Sequence, residues 1–292
     1  MNKVLVIIVT YNAMKWIDRC LGSLEASITP VDAFIIDNGS TDGTQDYIQK
    51  NYNCVFVQSK ENLGFGRANN EGFNYAINHH YNYVYLLNQD AWIFPNTISE
   101  LIAVLEKKSD YYGLLSPLQK AGDLKSLDRN FLSCCPHNVL SDALCDNLKQ
   151  VYEVDHFMAA HWFMKLSVLE KVGLFSPSFL HYGEDNNWID RLKYHGYKCG
   201  IVPSADAVHD REFREETSEK KLWIRYCAAI SLMSAPTHNI YRELVSQSYH
   251  VLNFGFRYRL VKLGVKYAVQ LLLDFKMILE NKRKTLQVGA FL

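Results

Sequence analysis

The run Val4-Leu-Val-Ile-Ile-Val9 is apolar at every position and rich in β-branched side chains. A strand with one wet face alternates apolar and polar residues. An unbroken run of this kind therefore specifies a strand buried on both faces, as in the interior of a parallel sheet covered by helices. The following segments fit that demand. A helix is predicted from about Ala13, with Trp16, Ile17, Cys20, Leu21 and Leu24 at helical spacing. A short strand over 33–36, a helix over 44–50, the strand Val55–Gln58, a helix over 67–79 and a strand over 83–87 come next. Strands alternating with helices predict an α/β fold with a mainly parallel sheet, right-handed crossovers and helices on its faces.

In such sheets ligands sit beyond the carboxyl ends of the strands. Three polar clusters fall at those predicted ends: Thr10-Tyr11-Asn12, Asp37-Asn38 and Asn88-Gln89-Asp90. Asp37 opens the turn Asp-Asn-Gly-Ser-Thr-Asp-Gly-Thr, where it can accept a hydrogen bond from the imide N–H of a pyrimidine, or simply shape the turn and help cap the next helix. Asn62-Leu-Gly64-Phe-Gly66-Arg67-Ala-Asn69 reads as a glycine-rich loop before a helix. It can turn backbone N–H groups and Arg67 toward a diphosphate, or serve only as a helix start, and it completes neither a dinucleotide fingerprint nor a P-loop. Asp90 can hold a hard divalent cation with Asn88 adding a carbonyl oxygen, or act as a helix cap before Pro95.

Farther along, residues 120–150 lack periodicity and are expected to form a variable loop region. Strand character over 151–164, a helix over 168–172, a helix over 184–195 and a strand over 197–202 follow. Glu184-Asp185 stands at the start of that second helix, where a carboxylate can deprotonate an attacking hydroxyl or merely suit the helix dipole. His209 can join the same cation as Asp90, or be a structural imidazole.

After residue 210 the pattern turns helical, and the charge changes with it. Residues 211–292 carry fourteen Lys and Arg against seven Asp and Glu, whereas the preceding part has the opposite excess, so the formal net charge is +0. A basic segment on an acidic body suits an anionic surface, although solvated helices can carry the same excess. Leu252, Phe256, Leu260, Leu263, Tyr267 and Leu271 recur at three- and four-residue intervals among Arg257, Arg259, Lys262 and Lys266. One amphipathic helix with basic residues is therefore expected, which can lie at a membrane surface and give peripheral contact through 240–292. The alternative is a helix packed on the catalytic domain or on another subunit of a homo-oligomer. Seven scattered Cys without CxxC spacing point to reduced thiols in the cytoplasm and to no zinc site. The short apolar start lacks a cleavage site, and Lys262, Lys266 and Asp274 interrupt the C-terminal apolar stretches. A soluble or peripheral protein is expected, at the inner face of the cell membrane if it binds one, with no nucleic acid partner.

Taken in order, Val-Ile-Ile-Val-Thr-Tyr-Asn12, Ile-Ile-Asp37-Asn-Gly-Ser-Thr-Asp42-Gly-Thr, Asn62 to Asn69, Leu-Leu-Asn88-Gln-Asp90, Tyr182-Gly-Glu-Asp185 through Arg191 to Gly196, Val202-Pro and His209 resemble glycosyltransferase family 2. These are enzymes of the Rossmann-like GT-A fold, and the likeness is strongest to the bacterial rhamnosyltransferase-like branch. The resemblance covers about residues 3–210. It implies a catalytic domain over 1–210, with a donor half at about 1–112 and an acceptor half at about 113–210, followed by a helical extension over 211–292. It also implies an inverting transfer of sugar from a UDP- or dTDP-linked donor to a hydroxyl of a surface glycan or lipid-linked glycan, assisted by Mg or Mn.

Carried over by position, Asp37 would meet the base and Thr10, Tyr11 and Asn12 would lie beside the nucleotide. Asn62, Gly64, Arg67, Asn69, Asn88 and Gln89 would complete the donor site. Asp90 and His209 would bind metal, Asp185 would be the catalytic base, Glu184 and Trp188 would face the acceptor, and Arg191 would brace the base-bearing helix. The chain departs from the family pattern at Asn88, where an acid is usual, at Ala159-Ala160 in place of Gly-Ala, and at Asn187 in place of a second acid. A sugar nucleotidyltransferase is the competing enzyme class, but it would carry a basic glycine-rich loop where this chain has Thr-Tyr-Asn-Ala-Met. A non-catalytic glycan- or nucleotide-binding relative is the third reading.

Overall fold

The computed structural model describes residues 2–108, 110–179, 181–211 and 217–292. Residues 212–216, just past the boundary expected at 210, lie outside the described residues. The chain forms two compact units, Met1–Glu170 with Gly196–Glu212, and Lys171–His195 with Phe213–Leu292. The segment 171–195, expected in the acceptor half before residue 210, thus clusters with the C-terminal helices.

The first unit opens with β1 (Val4–Thr10), α1 (Ile17–Glu25), β2 (Asp32–Asp37), α2 (Thr44–Asn51), β3 (Val55–Gln58), α3 (Gly64–Asn78) and β4 (Tyr83–Asn88). It continues through β5 (Ala91–Ile93), α4 (Thr97–Lys108), β6 (Tyr112–Lys120), α5 (Arg129–Leu132), α6 (Asn138–Leu144), β7 (Tyr152–Val154) and β8 (His161–Lys165). Helix α7 (Leu166–Val172) runs to the second unit, which holds α8 (Glu184–Tyr194), while β9 (Lys198–His209) returns to the sheet. Helices α9 (Ser218–Ser234), α10 (Ile240–Arg257), α11 (Val261–Leu273) and α12 (Phe275–Thr285) complete the second unit.

The nine-stranded sheet has the order β3-β2-β1-β4-β8-β6-β9-β5, with β7 also on β9. Strand β1 lies between two parallel neighbours, and Val4 to Ile8 are at most 1% exposed, as an uninterrupted apolar strand requires. The parallel expectation describes β3-β2-β1-β4. Beyond β4 the sheet is mixed: β8 runs antiparallel to β4 and β6, and β5 and β7 run antiparallel to β9. Register then sets the functional edge. Thr10 stands opposite Asp37, and Val9 opposite Asn88, so three strands end side by side.

Several boundaries differ from the sequence pattern for local reasons. Helix α1 starts at Ile17 because Asn12 takes a left-handed φ of 52° and the chain turns before it. The expected glycine-rich loop is the first turn of α3: the Asn62 Oδ1 accepts from the Gly64 N–H at 2.9 Å and starts the helix there. Within α3, Gly72 lies so close to β1 that an added Cβ would come within 2.5 Å of the Ile7 side chain. The 120–150 region contains α5 and α6, and the strand expected over 151–164 is two strands, β7 and β8.

In the second unit, Phe179, Leu222, Tyr226, Ile230, Met233, Val251, Leu271 and Ile278 share one apolar core. The single helix expected over 252–271 is a pair. Arg259 has φ 58°, ending α10, and α11 packs back on it where Gly255 and Gly264 meet. A Cβ on Gly255 would sit 3.0 Å from the Gly264 Cα, so this crossing needs a residue without a side chain. Among the described residues no helix is long and apolar enough to cross a membrane.

Candidate functional site

At the carboxyl edge of β1, β2 and β4 the loops are cross-tied by side chains. Asp37 is fully buried, and its carboxylate accepts five hydrogen bonds: Thr10 Oγ1 at 2.8 Å, the Gly39 and Ser40 amides at 3.1 and 2.8 Å, Ser40 Oγ at 2.5 Å and Gln45 Nε2 at 2.7 Å. The Ser40 Oγ also accepts from the Asn12 N–H at 2.8 Å, and the Asn12 Oδ1 accepts from the Thr41 N–H at 2.8 Å. Gln89 closes the other side, accepting from the Tyr11 N–H at 2.7 Å while its amide donates to the Tyr11 carbonyl at 3.2 Å. The Tyr11 ring stays exposed. A charged acceptor that collects several donors holds a loop in one conformation, and Asp37 is such a centre here.

Asp90 follows β4 and leads into β5, which pairs with the end of β9 through Ala91 opposite His209. That pairing brings the His209 Nε2 to 3.5 Å from the Asp90 Oδ1. His209 is 1% exposed and Asp90 23% exposed, so the carboxylate remains reachable from solvent. Burial raises the proton affinity of Asp90, but the hydrogen bond and charge of His209 outweigh it and hold the carboxyl below its ordinary value. Arg211 stands on the far side of His209, its guanidinium 3.5 Å from Nδ1.

Behind this pair lies a side chain that no local sequence signal marks. His161 on β8 is fully buried, with its Nδ1 2.7 Å from the Tyr85 hydroxyl and its Nε2 3.0 Å from the Val208 carbonyl. A carbonyl only accepts, so Nε2 carries the proton and Nδ1 receives the Tyr85 O–H. Burial, followed by the charge of His209, pushes the His161 imidazole down to about 3, which keeps it neutral. The bond to Val208 holds the strand residue preceding His209. Changing His161 to Phe leaves the Tyr85 hydroxyl without its partner and takes one donor from the Val208 carbonyl. A loss of about 2 kcal/mol or more is expected in thermal denaturation, partly recovered by adding Tyr85→Phe.

In the second unit, Glu184 and Asp185 form the first turn of α8 after Gly183, with Asp185 Oδ1 accepting from the Asn186 N–H at 2.8 Å. Glu184 is buried, and burial, then the charge of Asp185, pushes its carboxyl up to about 7. Its Oε2 and both polar atoms of buried Asn187 have no hydrogen-bond partner among the described residues. Arg191 is fully buried and donates to the carbonyls of Leu174 at 2.7 Å and of Val172, with the Phe291 ring 5.3 Å away. It therefore braces α8 against the 172–174 segment.

Of the residues singled out in the sequence, Thr10, Tyr11, Asn12, Asp37, Asn88, Gln89, Asp90 and His209 converge on one edge of the first unit. Gly64 and Asn62 build the start of α3, and Arg67 is exposed on it. Asn69 is 1% exposed and donates its side-chain amide to the Phe65 carbonyl at 2.9 Å, one turn back on its own helix. Trp188, expected on the acceptor side, is fully buried with its Nε1–H on the Gly173 carbonyl at 2.8 Å, because it falls on the packed face of α8. Among the described residues no three His, Cys, Asp or Glu side chains gather as a cation cage. Asp90 and His209 nevertheless fit as a pair: one hard oxygen and one imidazole nitrogen, at a separation near the ~3 Å between adjacent ligands on an octahedral Mg or Mn ion.

A family model described as glycosyl transferase family 2 matches residues 5–171. The chain is 27% identical over 236 residues to the N-acetylglucosaminyl-diphospho-decaprenol L-rhamnosyltransferase of Mycobacterium tuberculosis, covering 70% of this chain and 75% of the relative. Residues 1–349 of S. aureus TarS, solved with UDP-GlcNAc, share the fold at a TM-score of 0.58 and 17% identity, over 98% of this chain and 84% of that one. GalNAc-T7, solved with UDP, GalNAc and Mn2+, does so at a TM-score of 0.65 and 14% identity, over 95% of this chain but only 58% of its own length. The family model spans more than half of the sequence and the fold is that of GT-A enzymes, so the chain belongs to glycosyl transferase family 2 and is a nucleotide-sugar-dependent glycosyltransferase.

Proposed function

We propose that this enzyme takes a UDP- or dTDP-linked sugar at the β1-β2-β4 edge and transfers it, with inversion, to a hydroxyl of a lipid-linked or surface glycan. The observation that carries this reading is the register that aligns Thr10, Asp37 and Asn88 at one sheet edge, with Asp90 and His209 3.5 Å apart beside them. The pyrimidine meets Asp37 by replacing a mobile donor: the Ser40 hydroxyl or the Gln45 amide can turn away, whereas the Gly39 and Ser40 backbone N–H groups stay and hold the carboxylate in place. Tyr11 offers an exposed ring beside the base, and Asn88 and Gln89 border the sugar-phosphate.

Asp90 and His209 would hold the divalent cation, which neutralises the diphosphate leaving group when bound. Asp185 acts as the base that removes the acceptor proton, and Arg191 keeps its helix in place. The lipid-linked acceptor is supported by the name of the M. tuberculosis relative, and the uridine donor by the ligands of the two solved structures. Family membership removes support from the nucleotidyltransferase alternative. A screen of UDP- and dTDP-sugars with Mn, reading nucleotide release, is expected to find turnover with one donor class that Asp90→Ala reduces at least 100-fold. No turnover with any uridine or thymidine donor, whatever acceptor glycolipid is supplied, would sink the proposed donor specificity.

A further inference from the structure

The α10–α11 pair carries a surface outside the residues assigned above to sugar transfer. Residues 244–273 contain Arg257, Arg259, Lys262 and Lys266 but no Asp or Glu, and all four cations are exposed. Alongside them Phe256 is 62% exposed, Val265 45%, Leu272 58% and Leu273 71%. On α11, Val261, Val265, Val269, Leu272 and Leu273 fall on one arc of the helix with Lys262 and Lys266 among them, while Gly264, Ala268 and Leu271 are buried on the other side. Packing within the second unit therefore uses up one face of α11 and leaves a second face that is apolar and purely basic.

Large apolar side chains left in water in this number mark a contact surface. Charge decides among occupants. A second copy laid face to face would oppose four cations with four cations, whereas an anionic bilayer satisfies both components, taking the apolar side chains into the headgroup boundary and the cations onto its phosphates. No helix here is long and apolar enough to span a bilayer, so the contact is in the plane of the membrane.

We propose that the exposed face of the α10–α11 hairpin docks this protein on anionic phospholipid, with Leu272, Leu273, Val265 and Phe256 inserted and Arg257, Arg259, Lys262 and Lys266 on the headgroups. The inference is independent of the sugar-transfer reading. The test is co-flotation of the full chain with vesicles of phosphatidylcholine alone or mixed with phosphatidylglycerol. Binding is expected to the mixed vesicles only and to weaken with added salt. Lys262→Gln with Lys266→Gln should lower the partition constant about fivefold per lysine, on the order of 25-fold together. Leu272→Ser with Leu273→Ser should lower it on the order of tenfold or more. Both variants should keep the wild-type melting profile and, without vesicles, the wild-type nucleotide-sugar turnover, since these side chains lie outside the core.

Equal binding to neutral vesicles, or anionic binding unchanged in both variants, overturns the proposal. Failure to float with any vesicle also overturns it. If that failure comes with a concentration-dependent dimer in sedimentation that Leu272→Ser with Leu273→Ser dissolves, a second copy covers the face instead.

Discussion

Asp185→Asn is expected to lower the rate of sugar transfer by about 100- to 10,000-fold, the range over which a positioned general base contributes. The substitution is nearly isosteric, and the Asn Oδ1 still accepts from the Asn186 N–H, so the first turn of α8 keeps its geometry. Donor affinity should change by less than a few-fold, because the proposed nucleotide contacts come from the β1-β2-β4 edge. The fall should therefore appear in kcat and not in the donor KM, which steady-state nucleotide release resolves. An undiminished rate removes Asp185 as the base and reopens the reading of the chain as a non-catalytic relative.

Glu184→Gln is expected to stabilise the protein in a strongly pH-dependent way. The folded state holds a proton on Glu184 up to about pH 7, against an ordinary value of 4.5, because the carboxyl is buried and lies next to the charge of Asp185. A raised carboxyl favours the folded state fully only below its ordinary value, and that contribution is lost as pH rises through 7. The wild-type protein thus forfeits about 3 kcal/mol between about pH 5 and pH 8 that the neutral glutamine keeps. His161, held neutral by burial, acts in the opposite direction as pH falls below the ordinary histidine value, so the readout is the difference between the two proteins. Thermal denaturation from pH 5 to 8 should show nearly equal midpoints at the acid end and a variant advantage that grows to the alkaline end. A difference that stays flat across this range contradicts a proton held on Glu184. Asp185→Asn should also shrink the effect, since it removes the second cause of the raised carboxyl.

Much of the β1-β2-β4 edge was legible in the sequence because its determinants are local. An all-apolar β1 announces a strand buried on both faces, and the polar clusters that start at Thr10, Asp37 and Asn88 fall at the ends of β1, β2 and β4 whatever the register. The pairing of Asp90 with His209 was legible only as an expectation, since it depends on β5 returning beside β9 over more than a hundred residues. Strand direction was not legible beyond β4: apolar periodicity is the same for parallel and antiparallel neighbours, so the antiparallel insertion of β8 left no mark. Which way a polar side chain faces was equally hidden. Asn69, expected beside the nucleotide, bonds back to Phe65 on its own helix, and Trp188, expected on the acceptor side, fills the core.

The break at Arg259 leaves no mark in the periodicity, because three- and four-residue spacing of apolar residues continues across it from Leu252 to Leu271. A straight helix and a hairpin bury the same residue types. The His161 network lay deeper still, since Tyr85, His161 and Val208 are brought together only by the sheet.

A uridine or thymidine diphosphate is predicted to bind beside Asp37, Asp90 and His209. Calorimetric titration of UDP and dTDP into the protein, with and without Mn, tests it directly. Binding of one of them is predicted to tighten at least tenfold with Mn, and Asp90→Ala is predicted to abolish that gain while leaving the metal-free affinity nearly unchanged. Mn-dependent binding that survives intact in both Asp90→Ala and His209→Ala, or no binding of either nucleotide, would contradict the account.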